Sequence, residues 1–320
     1  MFDAVLVISF GGPQGRDDIR PFLANVLRGR RVTPERIEEV AHHYELFDGI
    51  SPLTELTQRQ ADGLRERLAA AGHPLPVYVG MRNWHPYLTD TLKKMHADGA
   101  RRAIGFIAAA HHSYSSCQQY RENVAAAQEV LRHEDRHVDI TFVDSWFDHP
   151  RFIAANASHI RDAVNALPRN VREDARIVFT AHSIPKSMAE ASQYEQQLSA
   201  SCAAIAAQVG REWALVYQSR SGRPQDPWLE PDVCDYLRRQ HAHGLAAAVI
   251  CPVGFLCDHI EVLYDLDREA ADVCTSIGLP MVRAAAVNDD PLFLDMMADV
   301  VLRTMRRYET GRPLPIVNRA

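Results

Sequence analysis

The stretch Ile177–Pro185, I-V-F-T-A-H-S-I-P, decides how this chain is read. Ile177, Val178, Phe179 and Thr180 form an apolar, β-branched and aromatic run of strand length. Pro185 has no N–H to donate and is expected to end any strand pairing. The run reads as a buried parallel strand, and His182 lies at its carboxyl end, the edge at which open α/β sheets bind ligands. A lone histidine there is equally well explained by local hydrogen bonding. A second stretch shifts the balance. Val249–Glu269, V-I-C-P-V-G-F-L-C-D-H-I-E-V-L-Y-D-L-D-R-E, is again a strand, a Pro-Gly break and a helix, now studded with carboxylates.

Outward from these two stretches, strand-like and helix-like runs alternate. Strands are predicted at Ala4–Ser9, Pro76–Met81, Ala103–Ala110, Val138–Val143, Arg176–Thr180, Leu215–Gln218, Ala246–Cys251 and Pro280–Arg283. Helices are predicted at Leu53–Ala71, Pro86–Ala97, Cys117–Arg132, Pro150–Ala166, Tyr194–Val209, Pro231–Gln240, His259–Ile277 and Pro291–Tyr308. The strands are rich in Val, Ile and Ala without clean alternation, as strands covered on both faces are, and repeated β-α-β units imply parallel sheets. The polar, aromatic connection Asp144–Pro150 falls near the middle. Each half also opens a strand into a turn, Gly11-Gly12-Pro13 in one and Ser183-Ile184-Pro185 in the other. The expected fold class is α/β: two similar doubly wound (Rossmann-like) halves, 1–146 and 147–320, each with a four-stranded parallel sheet, a cleft between them, and the last helix packed back on the first half.

Composition excludes several classes. The 320 residues can bury a large core. Hydrophobic content of 47% and charged content of 24% are those of an ordinary globular protein. A net charge of −6 gives no basic footprint for nucleic acid. No run approaches eighteen apolar residues, so no transmembrane helix is expected. The start M-F-D-A-V-L-V-I-S-F lacks a basic n-region, and a cytoplasmic location is expected. The cysteines at 117, 202, 234, 251, 257 and 274 form no C-x-x-C and no zinc-finger spacing, and read as reduced, mostly buried thiols.

Several motifs remain that chemistry can use. Gly11-Gly12-Pro13 lacks G-x-G-x-x-G, and no Walker pattern occurs, which argues against a nucleotide enzyme. Phe10 ends the first strand and suits either core or ligand. In Asp17–Arg31, Ile19, Phe22, Leu23, Val26 and Leu27 share one helical face, followed by Arg28, Arg30 and Arg31. That basic end complements a helix dipole, or forms the cationic rim of a site for a flat apolar ligand bearing carboxylates. Ser51 suits an N-cap or a ligand hydrogen bond. His111–Tyr120, H-H-S-Y-S-S-C-Q-Q-Y, clusters hydroxyls and imidazoles after a strand, with Tyr120 about two helical turns past His112. Asp258, Glu261, Asp265, Glu269 and Asp272 step by three or four residues as one acidic stripe. Like charges at that spacing repel by a few tenths of a kcal/mol per pair. The stripe is a solvated face, or a ladder guiding a dication such as Fe²⁺ into the cleft. His182 and Glu261 occupy corresponding positions after their strands and together make a weak, open metal site or a pair of proton acceptors.

Nine ordered segments resemble the ferrochelatases along essentially the whole chain. They are L-V-I-S-F-G-G-P (6–13), L-R-G-R-R (27–31), H-Y-E-L-F-D-G-I-S-P-L (43–53), Y-V-G-M-R-N-W-H-P (78–86), S-Y-S-S-C-Q-Q-Y (113–120), V-D-S-W-F-D-H-P (143–150), F-T-A-H-S-I-P (179–185), Y-Q-S-R-S-G-R-P-Q-D-P-W-L-E-P (217–231) and P-V-G-F-L-C-D-H-I-E-V-L-Y-D-L-D-R-E (252–269). The local style looks most like the actinobacterial-type enzymes that act on coproporphyrin. The resemblance implies insertion of Fe²⁺, a substrate, into a porphyrin with release of two protons. His182 and Glu261 then match the catalytic pair, and Asp265 and Glu269 an outer metal site beside them. Ser51 and Tyr120 match positions that contact the macrocycle, and Phe10, Arg28, Arg30, Arg31, His43 and Tyr44 are expected on the porphyrin with them. The chain departs from some relatives: Phe10 replaces a tyrosine able to ligate product iron, and His43 stands where others have arginine. No cysteine follows Cys274, so no [2Fe–2S] cluster is expected. The expected partners are porphyrin and ferrous iron, acting on a monomer. Two other readings stay open: a non-catalytic porphyrin or haem carrier, and a chelatase for another tetrapyrrole or metal, such as cobalt into sirohydrochlorin. Within the ferrochelatase reading, protoporphyrin IX is the alternative substrate.

Overall fold

The structure is a computed structural model that describes residues 1–29, 32–221 and 225–309. Eight strands form two sheets. Strands β1 (Ala4–Ser9), β2 (Val77–Met81), β3 (Arg102–Ile107) and β4 (Asp139–Phe142) lie in the order β2-β1-β3-β4. Strands β5 (Ala175–His182), β6 (Trp213–Gln218), β7 (Ala247–Cys251) and β8 (Met281–Arg283) repeat that order as β6-β5-β7-β8. Every pairing is parallel. Around the sheets run α1 (Ile19–Val26), α2 (Pro34–Glu45), α3 (Leu53–Ala70), α4 (Leu88–Ala97), α5 (Gln119–Arg132), α6 (Pro150–Ala166), α7 (Lys186–Glu190), α8 (Tyr194–Val209), α9 (Val233–Ala242), α10 (Ile260–Tyr264), α11 (Ala271–Ile277) and α12 (Pro291–Glu309). Among the described residues no helix is long and apolar enough to cross a membrane. All six cysteines are free thiols, four of them buried.

The strands are apolar throughout because both of their faces are covered, and the period of two sorts their side chains. In β1, Val5 and Val7 face one core while Leu6 and Ile8 face another. In β5, Ile177 and Phe179 face the first core and Val178 a third. The first core is shared by both sheets. Its centre is aromatic: Trp146 stacks on Phe106 at 5.4 Å and meets Phe152 and Phe293 edge-on at 5.4 and 5.9 Å. The connection Asp144–Pro150, read from sequence as polar and aromatic, plugs the seam with Trp146.

Helix α12 packs against α3 and α6. A Cβ on Gly63 of α3 would lie 2.5 Å from Leu294 Cδ1, so the two helices approach where only glycine fits. Arg67 pairs with Asp295 at 2.6 Å, and Phe2 meets Tyr308 edge-on at 5.2 Å. His149 accepts from the Arg151 N–H through Nδ1 and donates from Nε2 to Asp299 at 2.9 Å, fastening α6 to α12.

Four local readings need correction. The helix expected over 17–31 is a 3₁₀ turn, Arg16–Asp18, and then α1, which ends at Val26. The chain takes φ +80° at Gly29, so Arg28 sits in an exposed turn, bonded to Asn25 Oδ1 at 2.9 Å. Arg30 and Arg31 lie outside the described residues. Helix α2 was not foreseen, although Thr33-Pro34 is an N-cap and N1 signature and Thr33 accepts from the Arg36 N–H. Pro185 does not end pairing. It loses only its own donor, while Leu229 N–H reaches Ile184 O at 3.0 Å and Lys186 N–H reaches Pro227 O at 3.0 Å. The helix over 259–277 is interrupted by a π-helical turn, Asp265–Ala270, and a second such turn, Tyr114–Gln118, opens α5.

His111 joins the halves from the end of β3. Ser201 of α8 donates to Phe147 O at 2.8 Å, so it accepts from His111 Nε2 at 3.0 Å. Nδ1 is buried without a hydrogen-bond partner. Burial drives the imidazole pKa from 6.5 down to about 3. The folded state therefore holds it neutral, whereas the unfolded chain protonates it below 6.5, so its stabilisation is present above pH 6.5 and is lost as pH falls toward 3. Between pH 7 and pH 4 the parent chain should lose about 3 kcal/mol more unfolding free energy than His111→Gln, at 1.36 kcal/mol per unit. Urea unfolding at both pH values checks this, and equal losses in the two proteins would remove His111 from the acid response.

Candidate active site

His182 is the last residue of β5, paired in register with Gln218 of β6. Its Nδ1 lies 2.5 Å from Ser183 O and so carries the proton, which leaves the Nε2 lone pair exposed. Three bonds fix the strand end. Tyr194 donates its hydroxyl to His182 O at 3.0 Å, Ser183 N–H reaches Gln218 O at 2.8 Å, and the Ser183 hydroxyl donates to Leu229 O at 2.8 Å.

Glu261 arrives from the neighbouring strand. Strand β5 pairs with β7, with Phe179 opposite Cys251. The loop after β7 turns at Gly254, whose N–H bonds Thr180 O at 3.0 Å. A Cβ there would lie 2.6 Å from Ala181 Cβ. His259 then caps α10, its Nδ1 accepting from Glu261 N–H at 3.2 Å. Burial and the nearby His182 lower the His259 pKa, consistent with that acceptor role. The result is His182 Nε2 at 4.0 Å from Glu261 Oε2, both side chains about one-third to two-fifths exposed. That gap is too long for a hydrogen bond, yet ligand bonds of about 2.0–2.2 Å each let one divalent ion span it.

Beyond Glu261, Asp265 opens the π-helical turn, a feature frequent at functional sites. It accepts from Ser219, held at φ +59°, and from Gln218 Nε2 at 3.2 Å. Burial first, then the charges of Glu261 and Glu269, raise its pKa to about 7. Asp265 and Glu269 line a polar pocket of about 360 Å³ with Gln218, Ser219, Asp232 and Cys234. Asp258 leaves the expected stripe: it binds Arg283 at 2.7 Å, Asn288 at 2.7 Å and the Ala286 N–H, and so braces a loop. Asp272 is exposed. Among the described residues, no three His, Cys, Asp or Glu side chains converge as a metal cage.

The first half supplies the facing wall. Phe10 meets Phe22 edge-on at 6.3 Å, and Phe22 meets Tyr44 and Trp84 at 5.7 and 6.3 Å, so Phe10 is partly core. Burial first, then the charges of Glu261 and Asp265, push the Tyr44 phenol well up. Tyr120 is buried; burial raises its pKa to about 12, and Glu261 adds to the rise while Arg82 opposes it. His43 stacks on Tyr264 at 3.6 Å and 15°, bridging the walls, and burial lowers its pKa. Ser51 is buried against Gly12 and its hydroxyl accepts from the Leu53 N–H at 3.4 Å, while Pro52 holds the N-cap position of α3. Arg28 stays at the exposed rim. Reasoning from sequence missed His259, Gln218, Ser219 and Arg82. Only Arg82, one residue past a strand, left a readable signal.

Substituting Gly254→Ala should cost about 1–3 kcal/mol, the usual cost of overpacking, and displace the strand end that carries His182. A thermal melt unchanged from the parent would show that the approach to Ala181 has slack.

Residues 2–305 match the ferrochelatase family model. The coproporphyrin III ferrochelatase of Streptomyces griseus is 45% identical over 318 residues, covering 94% of this chain and 85% of the relative. That of Mycolicibacterium smegmatis is 42% identical over 323 residues, covering 98% and 94%. The ferrochelatase of Rhodopirellula baltica is 45% identical over 302 residues, covering 94% and 85%. Among solved structures, the sirohydrochlorin chelatase SirB of Bacillus subtilis, in complex with cobalt, superposes with a TM-score of 0.58 at 10% identity, covering 97% of this chain and 98% of that one, a likeness of fold. With its model matched almost end to end, this chain belongs to the ferrochelatase family.

Proposed function

We propose that the chain inserts Fe²⁺ into coproporphyrin III with release of two protons, giving Fe-coproporphyrin III in haem biosynthesis. The observation that carries this is the His182–Glu261 pair, 4.0 Å apart at the carboxyl edge of the second sheet and facing the aromatic wall of the first. The choice of porphyrin follows the names of the Streptomyces and Mycolicibacterium relatives.

In this reading residues 1–146 form one wall of the porphyrin site and residues 147–320 carry the acid–base and iron chemistry. The flat ring enters edge-on between Tyr44 and Tyr120 on one side and His182 on the other. Two pyrrole N–H bonds break as all four ring nitrogens bind Fe²⁺, so two protons must leave. Nε2 of His182 accepts a proton, being unprotonated and aimed into the crevice. Glu261 takes the second proton or hands over iron, and its 4.0 Å separation from the imidazole suits transient rather than resident metal. Asp265 and Glu269 extend the carboxylate path outward, where Fe²⁺ finds hard oxygen ligands.

His182→Ala should lower kcat for Fe²⁺ insertion by at least about 10², the lower bound typical of acid–base groups, while porphyrin fluorescence quenching still reports binding within threefold. Activity within about tenfold of the parent would sink the assignment. A parent that binds metal-free porphyrin but never loses its metal-free absorption bands under anaerobic Fe²⁺ would be a carrier instead.

A further inference from the structure

We propose that Arg82 receives a carboxylate of the tetrapyrrole and so favours a porphyrin with four carboxylates over one with two. This rests on the porphyrin reading above. Arg82 begins at the carboxyl edge of the first sheet, one residue past β2, where its N–H bonds Ser9 O at 3.0 Å and the next N–H, of Asn83, bonds Phe10 O at 2.9 Å. Its backbone is thus pinned beside Phe10 as the chain leaves the sheet. The guanidinium carbon lies 5.8 Å from the Phe10 ring centre and 5.2 Å from that of Tyr120. Both distances are within cation–π range, so the two rings frame the charge on the porphyrin-facing wall.

Charge balance makes this cation useful. The opposite wall carries Glu261 beside His182, and Asp265 and Glu269 along one polar pocket. A porphyrin bearing several carboxylates is repelled by that wall and gains from positive charge on the other. Arg28 provides it only at the exposed rim. Arg82 provides it inside, in a planar fork of donors that matches a carboxylate edge. An edge-on macrocycle turns two of its pyrroles outward and two inward. Coproporphyrin III has a propionate on each of the four, whereas protoporphyrin IX replaces two with vinyl groups. The inward carboxylates are the ones within the province of Arg82.

The test uses the full-length chain with Arg82→Gln and Arg82→Lys, coproporphyrin III and protoporphyrin IX as probes, and porphyrin affinity read by fluorescence quenching beside steady-state insertion. Arg82→Gln should weaken coproporphyrin affinity and raise its KM at least tenfold, leave both for protoporphyrin within threefold, and keep kcat within threefold. Arg82→Lys, which keeps charge but loses the fork, should recover part of the coproporphyrin loss. Equal shifts for the two porphyrins, or no shift, overturn the proposal. If Arg82→Gln does not melt cooperatively, Arg82→Lys decides alone: a loss confined to coproporphyrin supports the role and a loss shared by both porphyrins overturns it. A parent chain that metallates neither porphyrin fails the function proposed above, and selective binding still judges Arg82.

Discussion

The parallel pairing of β5 with β7 is the constraint on which the site depends. Adjacent parallel strands end side by side, so whatever follows each one meets at the same sheet edge. Here one strand ends in His182 and the other turns into the helix that bears Glu261. The turn is tight enough that Gly254 touches Ala181, and a Cβ at that point would intrude to 2.6 Å. Two residues 79 positions apart thus arrive 4.0 Å from each other without any direct bond between them. The shared aromatic core around Trp146 then holds the other sheet opposite, so that Tyr44 and Tyr120 both sense the charge of Glu261.

The two walls differ in character, and the difference suits the chemistry. One is aromatic and cationic, with Arg82 in contact with both Phe10 and Tyr120. The other is imidazole and carboxylate, continued outward along the π-helical turn. On the function proposed above, a flat ring with an acidic periphery would lie between them. Burial within the acidic wall costs free energy, and the raised pKa of Asp265 records it. Such a wall attracts a dication more than it would a neutral ligand.

Much of the fold was legible because the strands are continuous apolar runs, and every one of the eight fell within a few residues of its expected place. Boundaries that depend on local chemistry were harder. Pro185 reads as a terminator, but its neighbours Ile184 and Lys186 keep their bonds to Leu229 and Pro227. The π-helical turn at Asp265 has no periodic signature, so Asp258 and Asp272 seemed to belong with Glu261 when only Asp265 and Glu269 do. His182 and Glu261 were visible as strand-end residues, but their separation was not, since it comes from strand order. Gln218 and His259 escaped because their roles are hydrogen bonds to the helix that follows β7, which only the folded strand end brings within reach.

Joint action of His182 and Glu261 is tested most directly by a double-mutant cycle on kcat/KM for anaerobic Fe²⁺ insertion into coproporphyrin III. Groups that work as one unit lose little more together than the worse of them loses alone. The double variant His182→Ala, Glu261→Gln is therefore expected to match the weaker single variant within about threefold. Losses that multiply across the two substitutions would contradict it and assign the two residues to separate steps.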